Sequence, residues 1–300
     1  MASIASKVLE MMMKYAKLQG SFAKALQSGE PDSWEVKEPP KNLLKKLLVS
    51  SSQVNGKNCF NLQAKQLTRK THIFYLHGGG YIFGMNKMHW NLLLKLTQKL
   101  KCTIVAPDYP LAPANTHQAV FAMLLNIYQG LVAKVGGANI ILMGDSAGGG
   151  LALALAQKLL EEGIEQPSQI ILLSPWLDIS LKNPMIVPLE TTDPILGRVD
   201  LQMAGSAYAG NTNIDNYLLS PINGQVEGLG KISIFIGTRD ILVADTRRFF
   251  ELTHAKKVDI NYYEYQAMLH DWILFNLPEA KRAITQIIKL VNAKKEINHD

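Results

Sequence analysis

The chain has 300 residues, 47% of them hydrophobic, enough for a substantial core in one large or two small domains of a soluble protein. Its net charge of +6 comes from scattered lysines and arginines without zinc-finger or RNA-binding spacing, so charge alone does not make a nucleic-acid site. No run reaches the ~18 apolar residues of a membrane span, lysines and Glu10 interrupt any secretory leader, and Cys59 and Cys102 read as buried thiols of a cytoplasmic protein.

Residues 8–26 place Val8, Met11, Met12, Tyr15, Leu18, Phe22, Ala25 and Leu26 at helical spacing, an amphipathic helix ending near Gly29 and Pro31. With Lys7, Lys14, Lys17 and Lys24 beside it, the apolar stripe has two destinations: a membrane surface, or the chain's own body. The second is expected, because an insertion further along needs covering. After a polar link to Pro40, strand-like runs occur at 46–54, 58–65, 72–76, 103–106, 140–143, 170–173, 233–236 and 260–265. Helical patterns fall at 89–100, 118–135, 147–161, 242–254 and 279–291. Apolar strands alternating with helices predict an α/β fold: a mostly parallel eight-stranded sheet with helices on both faces. The first two strands, with no helix between them, form an antiparallel start. Residues 181–228 carry no strand pattern, only prolines and a helix-like run from Arg198 to Tyr208, which marks a lid or binding loop. The expected organisation is therefore a leading helical segment, 1–45, and one domain, 46–300, with a cap insertion at about 181–228.

In open parallel sheets ligands bind beyond the carboxyl ends of the strands. Those ends carry His77-Gly78-Gly79-Gly80-Tyr81, then Gly144-Asp145-Ser146-Ala147-Gly148, then Gly237-Thr238-Arg239-Asp240, then Met268-Leu269-His270. The segment GDSAG fits G-x-S-x-G, a strand-to-helix turn that lifts a serine hydroxyl out of a sheet. A serine at its ordinary pKa needs a base; His270 supplies one and Asp240 orients it, in the chain order Ser, Asp, His. Backbone N–H groups of Ala147, Gly79 and Gly80 would hold an oxyanion, and the glycines around Ser146 leave space at the nucleophile. Asp245 rivals Asp240 but lies inside the following helix, facing away from the strand end. Asp145, Asp108 and Asp178 read as acceptors for buried backbone donors, and His77 as a structural ring anchoring its own loop. His72, His89, His117, His254 and His299 lack an acid partner at a strand end. No cysteine or histidine cluster has metal-ligand spacing, so neither metal nor cofactor is expected.

Taken together, HGGGY (77–81), YPLAP (109–113), GDSAGG (144–149), SPWLD (174–178), RDILVAD (239–245) and a histidine about thirty residues on resemble the hormone-sensitive-lipase-like branch of the α/β-hydrolases. The resemblance runs from about Lys46 to Val291. It implies a carboxylesterase with a cap over its site, acting on short acyl esters through an acyl-enzyme on Ser146. Two positions depart from the pattern: Ala114 replaces a glutamate, and Asp271-Trp272 follows His270 where relatives have glycine and an aromatic. Two other readings stay open. One is an amidase or deacetylase on the same triad. The other is a small-molecule receptor of the same fold, a class that loses the histidine this chain keeps. The expected partner is a small acyl ester, with no nucleic acid and no stable membrane insertion. The sequence leaves room for a homodimer.

Overall fold

The structure, a computed structural model, describes residues 2–16, 19–28 and 34–293. Lys17, Leu18, Gly29, Pro31 and His299, named above, lie outside them. The eight expected strands are present: β1 (Leu47–Val54), β2 (Lys57–Ala64), β3 (His72–Leu76), β4 (Thr103–Pro107), β5 (Ile140–Asp145), β6 (Gln169–Leu173), β7 (Lys231–Gly237) and β8 (Asn261–Tyr265). They form one sheet in the order β1-β2-β4-β3-β5-β6-β7-β8. β2 runs antiparallel to β1 and to β4, and every later pairing is parallel.

The helices are α1 (Ile4–Ala16), α2 (Ser21–Ser28), α3 (Lys41–Leu44), α4 (Lys87–Leu100), α5 (His117–Val135), α6 (Ala147–Glu161), α7 (Ile186–Glu190), α8 (Arg198–Ala209), α9 (Val243–Ala255) and α10 (Pro278–Ala293). The central strands read as unbroken apolar runs because both faces are covered. Ile73, Tyr75, Ile141, Met143, Ile171 and Leu173 pack into the layer of α4 and α10. Phe74, Leu76, Ile140, Leu142, Ile170 and Leu172 pack on the other side, into α5, α6 and α9. The alternation has the period of two that a pleated strand imposes. The two open readings of composition thus resolve into one core on each face of one sheet.

The leading segment differs from its expected form. The 8–26 pattern is two helices, separated by Gly20 at φ +90°, which a helix interior does not adopt. Phe22 of α2 is buried, but Met11, Met12 and Tyr15 of α1 are exposed, so the apolar stripe does not cover the chain's own body. The insertion contains α7 as well as α8. It also meets the leading segment: the first-turn N–H groups of α2 find their acceptor in α8. Gly20 N, Phe22 N and Ala23 N donate to the Asp200 carboxylate at 3.1, 3.3 and 2.7 Å. Gln19 Nε2 adds bonds to the carbonyls of Asp193 and Leu196 at 3.0 and 3.1 Å.

Candidate active site

Ser146 stands between β5 and α6 at φ +51°, ψ −122°, a backbone conformation costly for any residue with a side chain. Backbone bonds to the neighbouring strand hold it there: Ser146 N donates to Leu173 O at 2.8 Å, and Trp176 N donates to Ser146 O at 2.9 Å. The turn is tight enough that a Cβ on Gly148 would lie 2.1 Å from the carbonyl oxygen of Leu76, in β3. On Gly150 it would lie 2.0 Å from Trp176 O. The space these glycines clear is therefore filled by the protein's own backbone. The expectation that they make room at the nucleophile itself is corrected to this: they let α6 start against β3 and the β6 end, which aims the serine.

The loops after β7 and β8 are zipped together. Thr238 N donates to Tyr265 O, Arg239 N to Met268 O (both 3.0 Å), and Ala267 N to Thr238 Oγ1 at 2.7 Å. That zipper brings Asp240 to His270. The imidazole Nδ1–H donates to Asp240 Oδ2 at 2.8 Å, and Nε2 lies 2.9 Å from Ser146 Oγ. Asp240 is fully buried, its second oxygen accepting from Leu242 N at 2.9 Å. Asp245, the rival acid, lies inside α9 and bonds Asn183 instead. Burial pushes its carboxyl up to about 6, against the Asn183 bond.

A cavity of about 220 Å³ opens beside Ser146 and His270. Gly79 lines it, with φ +110° where a Cβ would strike Phe83 O at 2.4 Å. The backbone N–H groups of Gly79, Gly80 and Ala147 carry no hydrogen bond among the described residues, and Ala147 opens α6, where the helix dipole is positive. The wall also takes in Met13 of α1, Ser21 and Phe22 of α2, and Ile195 and Leu196 of the insertion. Elsewhere in the insertion, Met185 is exposed, Ile186 is buried in the core, and Tyr208 stacks on Tyr81 at 3.7 Å.

Three acids and two histidines complete the surroundings. Asp145 takes Gly78 N at 3.0 Å, the Tyr75 hydroxyl, and His89 Nε2 at 3.1 Å. His89, expected to lack an acid partner, has one and also lines the cavity. Its separation from Asp145 along the chain hid the pair. Burial alone would lower His89, but Asp145 outweighs it and raises its pKa; reciprocally, His89 holds Asp145 low against burial. His77 stacks on Tyr109 at 4.2 Å with Nδ1 2.7 Å from Gly78 O, and burial lowers it to about 4. Sequence reasoning missed Asp193, which ties the insertion to the acid turn: it accepts from Ile195 N, Leu196 N and Ile241 N at 2.8, 3.0 and 3.0 Å. Asp271 places Oδ2 3.2 Å from His270 Nε2. Burial alone would lower His270, yet Asp240 and then Asp271 raise it well above its ordinary value. Asp271 in turn is pushed up to about 6 by burial, against the pull of His270. Among the described residues no cluster of histidine, cysteine and carboxylates could hold a metal.

Comparison with known proteins gives the family. Residues 73–274 match the family described as alpha/beta hydrolase fold. An esterase from Acinetobacter venetianus is 29% identical over 225 residues, 74% of either chain. An acetyl-hydrolase from Streptomyces hygroscopicus is 29% identical across 71% of this chain and 72% of its own. A solved esterase from the bacterial hormone-sensitive lipase family superposes with a TM-score of 0.82 at 26% identity, covering 97% of this chain and 98% of its own. The chain belongs to the alpha/beta hydrolase fold family and is of its hormone-sensitive-lipase-like kind.

Proposed function

We propose that this protein is a carboxylic ester hydrolase, and that it cleaves short-chain acyl esters through an acyl-enzyme on Ser146. The reading is carried by one observation: an unbroken hydrogen-bond line from Asp240 through His270 to Ser146 Oγ, ending at a small cavity. Ser146 Oγ attacks the ester carbonyl while His270 Nε2 takes its proton, and Asp240 stabilises the resulting imidazolium and fixes the tautomer. The N–H groups of Gly79, Gly80 and Ala147 receive the oxyanion. His270 then protonates the departing alkoxide. Water, deprotonated by the same nitrogen, attacks the acyl carbon and frees Ser146. The similarity to an esterase and an acetyl-hydrolase supports the ester as substrate.

We assign 1–45 and the 181–228 insertion to a cap over the sheet's carboxyl edge. Met13, Phe22, Ile195 and Leu196 in the cavity wall support that assignment. The test is chemical. A fluorophosphonate should add its phosphonyl mass to Ser146, and Ser146→Ala should lower p-nitrophenyl butyrate hydrolysis by about three to six orders of magnitude. Labelling at another serine, or a near-active variant, would overturn the reading. An arylamide assayed alongside separates esterase from amidase.

A further inference from the structure

Five apolar residues of α1 (Ile4, Val8, Met11, Met12 and Tyr15) fall at i, i+4, i+7, i+8 and i+11, and so share one face. That face points to solvent: the five are 82, 44, 54, 60 and 82% exposed. The helix is attached through its opposite side, and largely by polar groups. Ser3 N, Ser3 Oγ and Ser6 Oγ donate to the Glu279 carboxylate at 2.7, 3.0 and 2.8 Å, and Glu10 pairs with Arg239. Leu9 packs on the core and Met13 reaches the cavity. Packing within the chain thus leaves the apolar stripe uncovered, which is costly in water unless something else covers it.

Charge identifies the occupant. Lys7 and Lys14 lie along one border of the stripe; Lys14 also pairs with Glu10 at 2.8 Å, and Lys7 leaves that border with an excess of positive charge. Beside that border a groove is lined by Lys7, Lys14 and Arg239, with Glu10 as its one carboxylate. Cations bordering an apolar helical stripe match the phosphates above the acyl chains of an anionic lipid surface. A second copy of the chain fits less well. A helix face about 20 Å long and about 10 Å wide offers far less than the ~800 Å² per partner of a stable dimer.

We propose that α1 is a reversible lipid-docking helix, its stripe entering the headgroup boundary of an anionic bilayer and its lysine border meeting the phosphates. This is surface adsorption without a membrane span, and it rests on α1 rather than on the reaction at Ser146.

The full chain should co-sediment with phosphatidylcholine vesicles containing phosphatidylglycerol at least about tenfold more strongly than with phosphatidylcholine alone, and high salt should release it. Met11→Glu with Tyr15→Glu should weaken that binding at least about tenfold while hydrolysis of a water-soluble ester stays unchanged. The milder pair Met12→Ser and Tyr15→Ser should weaken it in the same direction. Inactive Ser146→Ala protein should bind as wild type does. Absence of binding to anionic vesicles, equal binding by the α1 variants, or a solution dimer that those variants dissociate without any vesicle binding would overturn the proposal.

Discussion

His270 meets two carboxylates and a hydroxyl: Asp240 at 2.8 Å, Asp271 at 3.2 Å and Ser146 at 2.9 Å. The base must be neutral at Nε2 to accept the serine proton, and a raised pKa means that this form appears only at higher pH. An unperturbed imidazole would place the acid limb at about pH 6–7. The limb of kcat/KM should instead lie above that range, with activity rising as pH rises through it. Asp271→Asn removes a charge that favours the imidazolium, so its acid limb should move to lower pH. Asp271 has φ +50°, which asparagine and glycine tolerate, so the variant should fold. A pH–rate profile with an unmoved limb would exclude Asp271 from this role. Asp193 also acts on His270, and Asp145 and His89 act on Asp271, and all three stay in place when the variant is compared with wild type. Asp240→Asn should cost about 10⁴-fold in turnover by permitting the wrong tautomer, whereas Asp245→Asn should leave turnover nearly unchanged. Reversed results would make Asp245 the functional acid. The Ser, Asp and His types and their chain order were legible because each follows a strand of a parallel sheet. Asp193 and the His89–Asp145 pair were not, since nothing local marks a contact between residues 48 or 56 positions apart.

At the level of elements, α2 depends on α8. Eight residues cannot hold a helix alone, and here the first turn is satisfied by Asp200 while Phe22 packs against Gly80 and stacks on Phe83 at 5.1 Å. Asp200→Ala should therefore cost about 1–2 kcal/mol of stability, as loss of a capping carboxylate does. It should also lower kcat/KM by loosening the wall that Phe22 provides. Thermal unfolding and steady-state kinetics on one preparation check both effects; a loss of stability with unchanged kinetics would detach α2 from the site. The sequence concealed the break at Gly20 because apolar spacing continues across it. It concealed the docking of α2 because an acid in one helix serving as the cap of another leaves no pattern in either. α7, with Pro188 inside five residues, carries no helical periodicity.

For the whole molecule, the cavity of about 220 Å³ lies below the ~300–1,000 Å³ of pockets for drug-sized ligands. Each added methylene of an acyl chain contributes about 0.8 kcal/mol until the pocket is full, after which it becomes a steric cost. Across p-nitrophenyl esters, kcat/KM should peak between acetyl and butyryl and fall beyond about six carbons. Removing residues 1–28 deletes Met13, Ser21 and Phe22 from the wall, so the optimum should shift to longer chains or activity should fall. A full-length enzyme preferring ten carbons or more would contradict the enclosed cavity.

The sequence by itself determined the sheet and which residues stand at its carboxyl edge. Strand and helix periods, turn glycines and the residues at strand ends are local signals, and parallel topology converts them into a shared edge. It also determined that α1 is amphipathic. Only the tertiary structure decided which way the stripe faces, because periodicity defines a face without saying what lies opposite it. The polar inner side of α1, satisfied by Glu279 and Arg239, turned the apolar side out. The same limit applies at Asp271: its oddity was visible in the sequence, but its contact with His270 Nε2 depends on how two loops close against each other.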